Sequence, residues 1–220
     1  MVTRRKFVLG AGAAAAMPLR GLSAQTAKTA AEDALAVNDV HSKLNSTRLH
    51  GLEKPATLEE LRAAIVRARA GGRTICIAGG RHAMGGQQFL ADGVMIDTRD
   101  LRKVSAFDAE AGVIEVEAGI QWPELIAHLD QVQAGVPRPW AIAQKQSGAD
   151  RLTIGGALAA NAHGRGLTMK PFIADVESFT LIDGDGDMRT CSRSENTGLF
   201  RFAIGGYGLF GVIYSVRLRL

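Results

Sequence analysis

Glycine constrains this chain more than any other residue. It fills 26 of 220 positions and gathers in three segments. The first is Ala78-Gly79-Gly80-Arg81-His82-Ala83-Met84-Gly85-Gly86-Gln87. The second is Thr153-Ile154-Gly155-Gly156-Ala157, and the third runs from Ala203 to Gly211 with Gly205, Gly206 and Gly208 inside it. A residue without Cβ lets backbone N–H groups converge on an anion and lets a flat ligand approach the main chain. The second segment would set a helix N-terminus and small residues against a phosphate or ring. Each segment alone also suits an ordinary turn. Neither a Walker A lysine pattern nor a GxGxxG with a spaced acidic residue is present, which argues against a P-loop and a Rossmann site.

Regular elements are expected around these segments. Thr57 and Glu60 form a capping-box pair, Leu58, Leu61, Ile65 and Ala68 recur at helical spacing, and Gly71-Gly72 ends the helix. Thr74 to Ala78 and Val94 to Asp97 read as strands, so residues 55–98 form a strand-poor βαβ-like unit with the first glycine segment after its first clear strand. Val113 to Glu117 alternates as a strand with one wet face. Trp122-Pro123-Glu124 opens a helix running to about Gln133. Residues 135–151 read as a long ordered loop, and Thr153 to Asn161 as a short helix of small residues. Val176 to Ile182 and Met188 to Ser192 flank an Asp-Gly turn as a hairpin, and Gly211 to Leu220 alternates as a last strand.

Charge first suggests a nucleic-acid or anionic-membrane partner: net charge is +4 and pI about 9.3. The excess sits at one end. Residues 1–24 hold Arg4, Arg5, Lys6 and Arg20 and no acid; without them 22 basic residues face 22 acidic ones. Thr3-Arg4-Arg5-Lys6-Phe7-Val8-Leu9 resembles a twin-arginine export motif. An apolar stretch from Phe7 to Met17 follows, then Leu22-Ser23-Ala24 as a cleavage site. A basic N-terminal tail is the alternative. Residues 1–24 are thus expected to be a signal peptide, with a periplasmic or exported product, and 25–50 a linker or entry segment. Mean hydropathy is +0.04, and no apolar run approaches the roughly 20 residues that span a bilayer. Neither nucleic acid nor a membrane span is expected.

Taken together and in order, the glycine segments resemble the flavin-binding (PCMH-type) domain of the vanillyl-alcohol oxidase family over residues 51–220. That family has a Gly-x-His-Ser-type loop, a Thr-Ile/Val-Gly-Gly segment and a closing Gly-Gly-x-Gly-x-Phe-Gly-Val/Ile-Ile segment. The counterparts here are Gly79 to Ala83 with Gln87, Thr153 to Gly156, and Gly205 to Ile213. The resemblance implies an α+β fold of two α/β subdomains. One has a small parallel or mixed sheet, the other a larger mixed or antiparallel sheet with flanking helices. It implies FAD as cofactor. Gly79, Gly80, Arg81, His82 and Ala83 would hold the pyrophosphate through backbone N–H groups. Gln87 would sit by the ring system, Gly148, Thr153, Ala159 and His163 would line the flavin, and Ile213 would contact it from the last strand. His82 falls where many members attach the flavin 8α-methyl to histidine. Covalent attachment and a loop histidine that only hydrogen-bonds are both open. Ala83 replaces the usual serine, so a hydroxyl contact is missing.

The resemblance further implies an FAD-dependent oxidoreductase, in which hydride passes from a small alcohol, sugar or lactone-like substrate to flavin N5. The alternative is a flavin-binding module without catalysis of its own. In the family a substrate-binding cap domain follows the flavin domain. This chain ends where that domain would begin, so a fragment, or a separate partner chain carrying the cap, is expected, and no catalytic base is assigned. His163 reads as a ligand contact or a helix-terminal histidine as well as a catalytic candidate. His128 reads as structural, and His41 and His50 have no visible partner. Asp183, Asp185 and Asp187 lack the EF-hand glycine and glutamate and read as a turn, with no metal expected. Cys76 and Cys191 read as two thiols, with a disulfide as the alternative.

Overall fold

Parallel and antiparallel pairing divide the β structure into separate sheets, and the glycine segments fall where those sheets meet. The computed structural model describes residues 35–220 apart from Leu167 and Met169. The expected signal peptide and residues 25–34 lie outside the described residues.

In chain order, β1 (Ala36–Val37) pairs antiparallel with β2 (Thr47–Arg48). Strand β3 (Gly51–Glu53) precedes helix α1 (Leu58–Ala70) and β4 (Ile75–Ala78), and β5 (Val94–Asp97) follows. These make a parallel three-stranded sheet, order β3-β5-β4. Helix α1 begins as expected. The Thr57 hydroxyl accepts from the Glu60 N–H at 3.2 Å, and Glu60 Oε2 accepts from the Ala56 N–H at 2.8 Å, one residue earlier than a capping box requires.

Strand alternation gives this sheet two distinct faces. Ile75, Ile77 and Ile96 pack with Leu61 and Ile65 of α1. Cys76, Ala78 and Met95 turn the other way, onto Val37 and Leu49 beside the β1–β2 pair. Residues 35–50 are therefore not a linker: over this stretch the expected entry segment is part of the fold. Its polar composition hid two short strands and a buried turn.

The second sheet is antiparallel. It contains β6 (Val104–Asp108), β7 (Val113–Glu117), β8 (Val176–Ile182), β9 (Met188–Ser192) and β10 (Val212–Arg219), in the order β6-β7-β10-β8-β9. Helices α2 (Trp122–Val132), α3 (Ile154–Ala159) and α4 (Thr197–Ala203) also lie in this half. Trp122, Leu125, Ile154, Leu158 and Phe200 join Ile114, Val116, Phe179 and Val216 in the main core. Each such side chain taken from water contributes about 1.5–3 kcal/mol. The two halves together show the expected α+β architecture.

Strand β7 departs from its expected wet face. Glu117 is only 3% exposed. Its carboxylate accepts from the Lys103 N–H at 2.8 Å and the Tyr214 hydroxyl at 3.1 Å, so a buried polar group is satisfied rather than solvated. Burial, then the Glu117 charge, pushes the Tyr214 phenol up to about 12. The hairpin matches its expected bounds, with Asp183 Oδ1 accepting from the N–H groups of Asp185 and Asp187. Cys76 and Cys191 are free thiols.

Candidate functional site

A cavity of about 570 Å³ opens beyond the carboxyl ends of β4 and β5. In open sheets of parallel strands this is where loops diverge and ligands fit. Its wall is drawn from all three glycine segments. Of the residues expected to hold cofactor, Gly79, Gly80, Arg81, His82, Ala83, Gln87, Gly148, Thr153, Ala159 and Ile213 all line it. His163 does not. Its side chain is turned to the backbone of the next residue, with Nδ1 2.9 Å from the Gly164 carbonyl, outside the lining.

The loop after β4 has an unusual main chain. Arg81 adopts φ 57°, a left-handed conformation that side chains other than glycine rarely take. Among the described residues, no backbone N–H from Gly79 through Ala83 donates to a protein acceptor. Successive N–H groups around a left-handed residue form a concavity suited to an anion. Arg81 adds a buried Nε that has no partner among the described residues. A pyrophosphate, rich in acceptor oxygens, matches this set of donors, so the residues fit the dinucleotide that the sequence suggests.

The start of α3 is different. Thr153, almost fully buried, caps it, its hydroxyl accepting from the Gly156 N–H at 3.2 Å. The Ile154 N–H donates to the Ile120 carbonyl at 2.9 Å, and the Gly155 N–H to the Ala118 carbonyl at 2.7 Å. The expected helix N-terminus for phosphate is thus already spent on the protein. A Cβ on Gly155 would lie 2.7 Å from the Ala118 Cβ. Glycine is required there so that α3 can cross the chain after β7. The segment still shapes the cavity, giving it a flat wall of Gly155, Gly156, Ala159 and Ala160.

The third segment closes the far side. The Gly205 and Tyr207 N–H groups donate to the Leu158 and Ala159 carbonyls, tying the segment to the end of α3. Tyr207 and Gly208 reach the wall, as does Ile213 of β10. The floor includes Thr98, which follows Asp97. That buried carboxylate holds Arg99 through two oxygens, at 2.8 and 2.5 Å, and fixes the chain as it leaves β5. In the loop before α3, Gln146 Oε1 accepts from the N–H groups of Gly148 and Ala149, which sets Gly148 at the rim.

Sequence reasoning missed His41. Its Nε2 lies 2.7 Å from His82 Nδ1, and both rings line the cavity. The turn bearing it is built on Asp39, 2% exposed. Asp39 accepts from the N–H groups of His41, Ser42 and Lys43, from the Ser42 hydroxyl and from the Asn45 amide. Burial raises the Asp39 carboxyl, but these donors together outweigh it and hold the carboxyl well below the usual range. The turn is stapled to the glycine loop by Val40 N–H to the Arg81 carbonyl at 3.0 Å and by the Asn45 amide to the Met84 carbonyl at 2.7 Å. The one available signal was Asp39-Val40-His41-Ser42, an Asx-turn pattern. Burial, then the neighbouring His41, pulls the His82 imidazole below its ordinary range, partly countered by the nearby Arg151 carbonyl.

Residues 50–192 match the model of a family described as FAD binding domain, and the chain belongs to that family. It is 29% identical over 171 residues to an uncharacterized oxidoreductase of the fasciation locus of Rhodococcoides fascians, covering 76% of this chain and 36% of that protein. It is 28% identical over 166 residues to the L-gulonolactone oxidase of Mus musculus, with the same shares. It is 32% identical over 180 residues to cytokinin dehydrogenase 7 of Oryza sativa subsp. japonica, covering 76% of this chain and 32% of that protein. The chain therefore spans about a third of the length of these curated relatives. Its cofactor is FAD.

Proposed function

We propose that this chain is the flavin-holding part of an FAD-dependent oxidoreductase, which oxidises a small alcohol, sugar or lactone-like substrate. The observation that carries this reading is the run of N–H groups from Gly79 to Ala83, without acceptors among the described residues, on the wall of the cavity. Those groups and the Arg81 guanidinium would bind the pyrophosphate. Gly155, Gly156, Ala159 and Ile213 would press a planar ring from the other side, and Gln87, Gly148 and Thr153 would border it. When bound, the flavin supplies acceptance of a hydride at N5. The protein's share is to orient the ring and keep bulk water from one face. His82 is further proposed as a covalent anchor.

The test is reconstitution. Flavin-free protein mixed with FAD should show an oxidised-flavin spectrum perturbed from the free cofactor, and candidate alcohols and lactones should bleach it anaerobically. Absence of binding would sink the reading. Binding without bleaching by any substrate favours a second reading, a flavin module completed by a cap domain on another segment or chain, to which the coverage of about a third of the relatives points. Export through the twin-arginine route is a separate part of the proposal, supported by Arg4-Arg5-Lys6-Phe7. Retention of an Arg4→Lys, Arg5→Lys variant in the cytoplasm would support it, and unchanged export would overturn it.

A further inference from the structure

The cavity wall carries two histidines and, among the described residues, no carboxylate. Its titratable side chains are Arg81, His41, His82 and Tyr207. His41 Nε2 and His82 Nδ1 face each other at 2.7 Å, with the rings 4.8 Å apart and tilted by 56°. His82 belongs to the glycine loop. The turn that bears His41 is clamped to the same loop by Val40 N–H to the Arg81 carbonyl and by the Asn45 amide to the Met84 carbonyl. The pair is thereby fixed to the loop that offers the N–H groups of Gly79 to Ala83 and the buried Arg81 Nε.

A contact this short sets how many protons the pair can carry. Between the facing nitrogens there is room for one hydrogen. In the neutral pair one ring donates it, and the outer nitrogen of that ring keeps a lone pair. One further proton can settle on that outer nitrogen, Nδ1 of His41 or Nε2 of His82, and makes the contact a charge-assisted hydrogen bond. A second would put N–H groups on both facing nitrogens and part the rings. The count is the same whichever ring donates, because the proton belongs to the pair. In the flavin-free protein, burial and then His41 disfavour charge at His82. The charged groups on the surrounding elements do little to reverse this. Asp39 is already hydrogen-bonded within its turn, and Lys43 and Arg81 are cations. On the loop before α3, Asp150 is paired with Lys145 and is followed by a further cation, Arg151.

We propose that the His41–His82 pair is part of the diphosphate site and takes up one proton from solvent as the diphosphate binds, adding a full positive charge to the donors of the glycine loop. The inference rests on the reading of that loop as the pyrophosphate site. A diphosphate brings two negative charges to a wall without an acid, and these favour the protonated pair. The uptake belongs to reversible binding and needs no covalent step. Because the occupied pair titrates at a higher pH than the free pair, affinity is greatest below the free value. It falls as pH rises toward the occupied one, by up to about tenfold per pH unit.

The experiment titrates the flavin-free full chain with FAD and, separately, with ADP-ribose, which carries the diphosphate without the flavin ring. Calorimetry near neutral pH in buffers of different ionisation enthalpy counts the protons taken up. Affinities are measured from about pH 5.5 to 8.5, where histidine titrates and the diphosphate does not. Wild type should take up more than about half a proton per ADP-ribose and lose about tenfold or more in affinity across that range. The double variant His41→Gln, His82→Gln, neutral at both positions, should bind without uptake and with a flat pH profile. His41→Gln alone should take up less than wild type, since His82 then has no second ring to share the proton. Binding of both ligands to wild type without proton uptake would overturn the inference and leave the flavin site standing. Undiminished uptake in the double variant would overturn it by placing the proton elsewhere, and undiminished uptake in His41→Gln would remove His41 from the site. FAD binding without ADP-ribose binding would overturn it too, because the loop would then not hold the diphosphate. Failure of FAD itself to bind would take down the flavin reading and this inference together. Denaturant unfolding of each flavin-free variant shows which are folded, and His41→Gln carries the test if the double variant is not.

Discussion

Two glycine segments meet at the cavity wall, where a Cβ on Gly79 would overlap the Thr153 hydroxyl, and they differ in the fate of their backbone donors. After β4, the chain leaves N–H groups without acceptors among the described residues and holds Arg81 in a left-handed conformation. At the start of α3, the N–H groups of Ile154, Gly155 and Gly156 all have protein acceptors, and glycine serves close packing on Ala118. A glycine pair in sequence therefore does not reveal which backbone donors remain for a ligand. The local accounting of acceptors does. Substitutions on the two sides should separate stability from affinity.

The largest effect is expected at Gly155. A valine there drives a side chain into Ala118, whose Cβ and carbonyl oxygen lie 2.7 and 3.1 Å from the position of a new Cβ. Overpacking of this kind costs about 3 kcal/mol, or roughly 6–12 °C in Tm for a chain of this size. Thermal melts of the flavin-free protein check it. An unchanged Tm with lost FAD affinity would break the contrast, because it would place the ligand, not Ala118, against Gly155.

Arg81→Gly should do the reverse. Removing the guanidinium is expected to weaken FAD about 10- to 100-fold, as for a charge-assisted hydrogen bond. The flavin-free fold should keep its stability, since glycine relieves a left-handed residue that costs about 1–2 kcal/mol and adds back part of that as chain entropy. Fluorescence titration of FAD, set beside denaturant unfolding, reads both quantities. A large loss of stability with unchanged affinity would mean that the Arg81 side chain holds the loop and not the ligand.

Much of this contrast was hidden in the sequence, and the reasons are physical. Helix α1 and the β8–β9 hairpin were legible because period and end signals agree within a few residues: Thr57 and Gly71 bracket the helix, and Asp183-Gly184 marks the turn. The contents of the cavity wall followed from the order of three motifs. His41 could not be found that way. Its role depends on a buried Asp39 and on docking to a loop 41 residues further on, and nothing local in a polar stretch announces either. Likewise Glu117 alternates like an exposed residue, and only the approach of Lys103 and Tyr214 makes its burial tolerable. The spent donors of Ile154 and Gly155 are equally non-local, since their acceptors, the Ile120 and Ala118 carbonyls, belong to the segment after β7.

A smaller loss is expected for Thr153→Ala. The cap bond to Gly156 disappears, at a cost of about 1 kcal/mol. FAD affinity should change by less than about threefold, less than the loss of even one neutral hydrogen bond to the ligand would produce. Urea unfolding and FAD titration on the same preparation test both halves. A loss of affinity of tenfold or more, without matching destabilisation, would show that the hydroxyl serves the cofactor and would erase the difference between the two glycine segments.

The smallest effect concerns acid. His82 is held below the ordinary histidine range, first by burial and then by His41. A histidine whose folded pKa lies under its unfolded value of about 6.5 favours folding fully above that value. Its contribution is lost as pH falls through the folded pKa, because the unfolded chain takes up the proton first. The flavin-free wild type should therefore lose stability as pH drops below about 6.5, and His82→Gln, which has no proton to gain at this site, should lose less over the same interval. Denaturant midpoints across that range give the comparison. Equal slopes would mean that the His82 ring is as free to protonate in the fold as in the unfolded chain, and the close pairing with His41 would then not persist in solution.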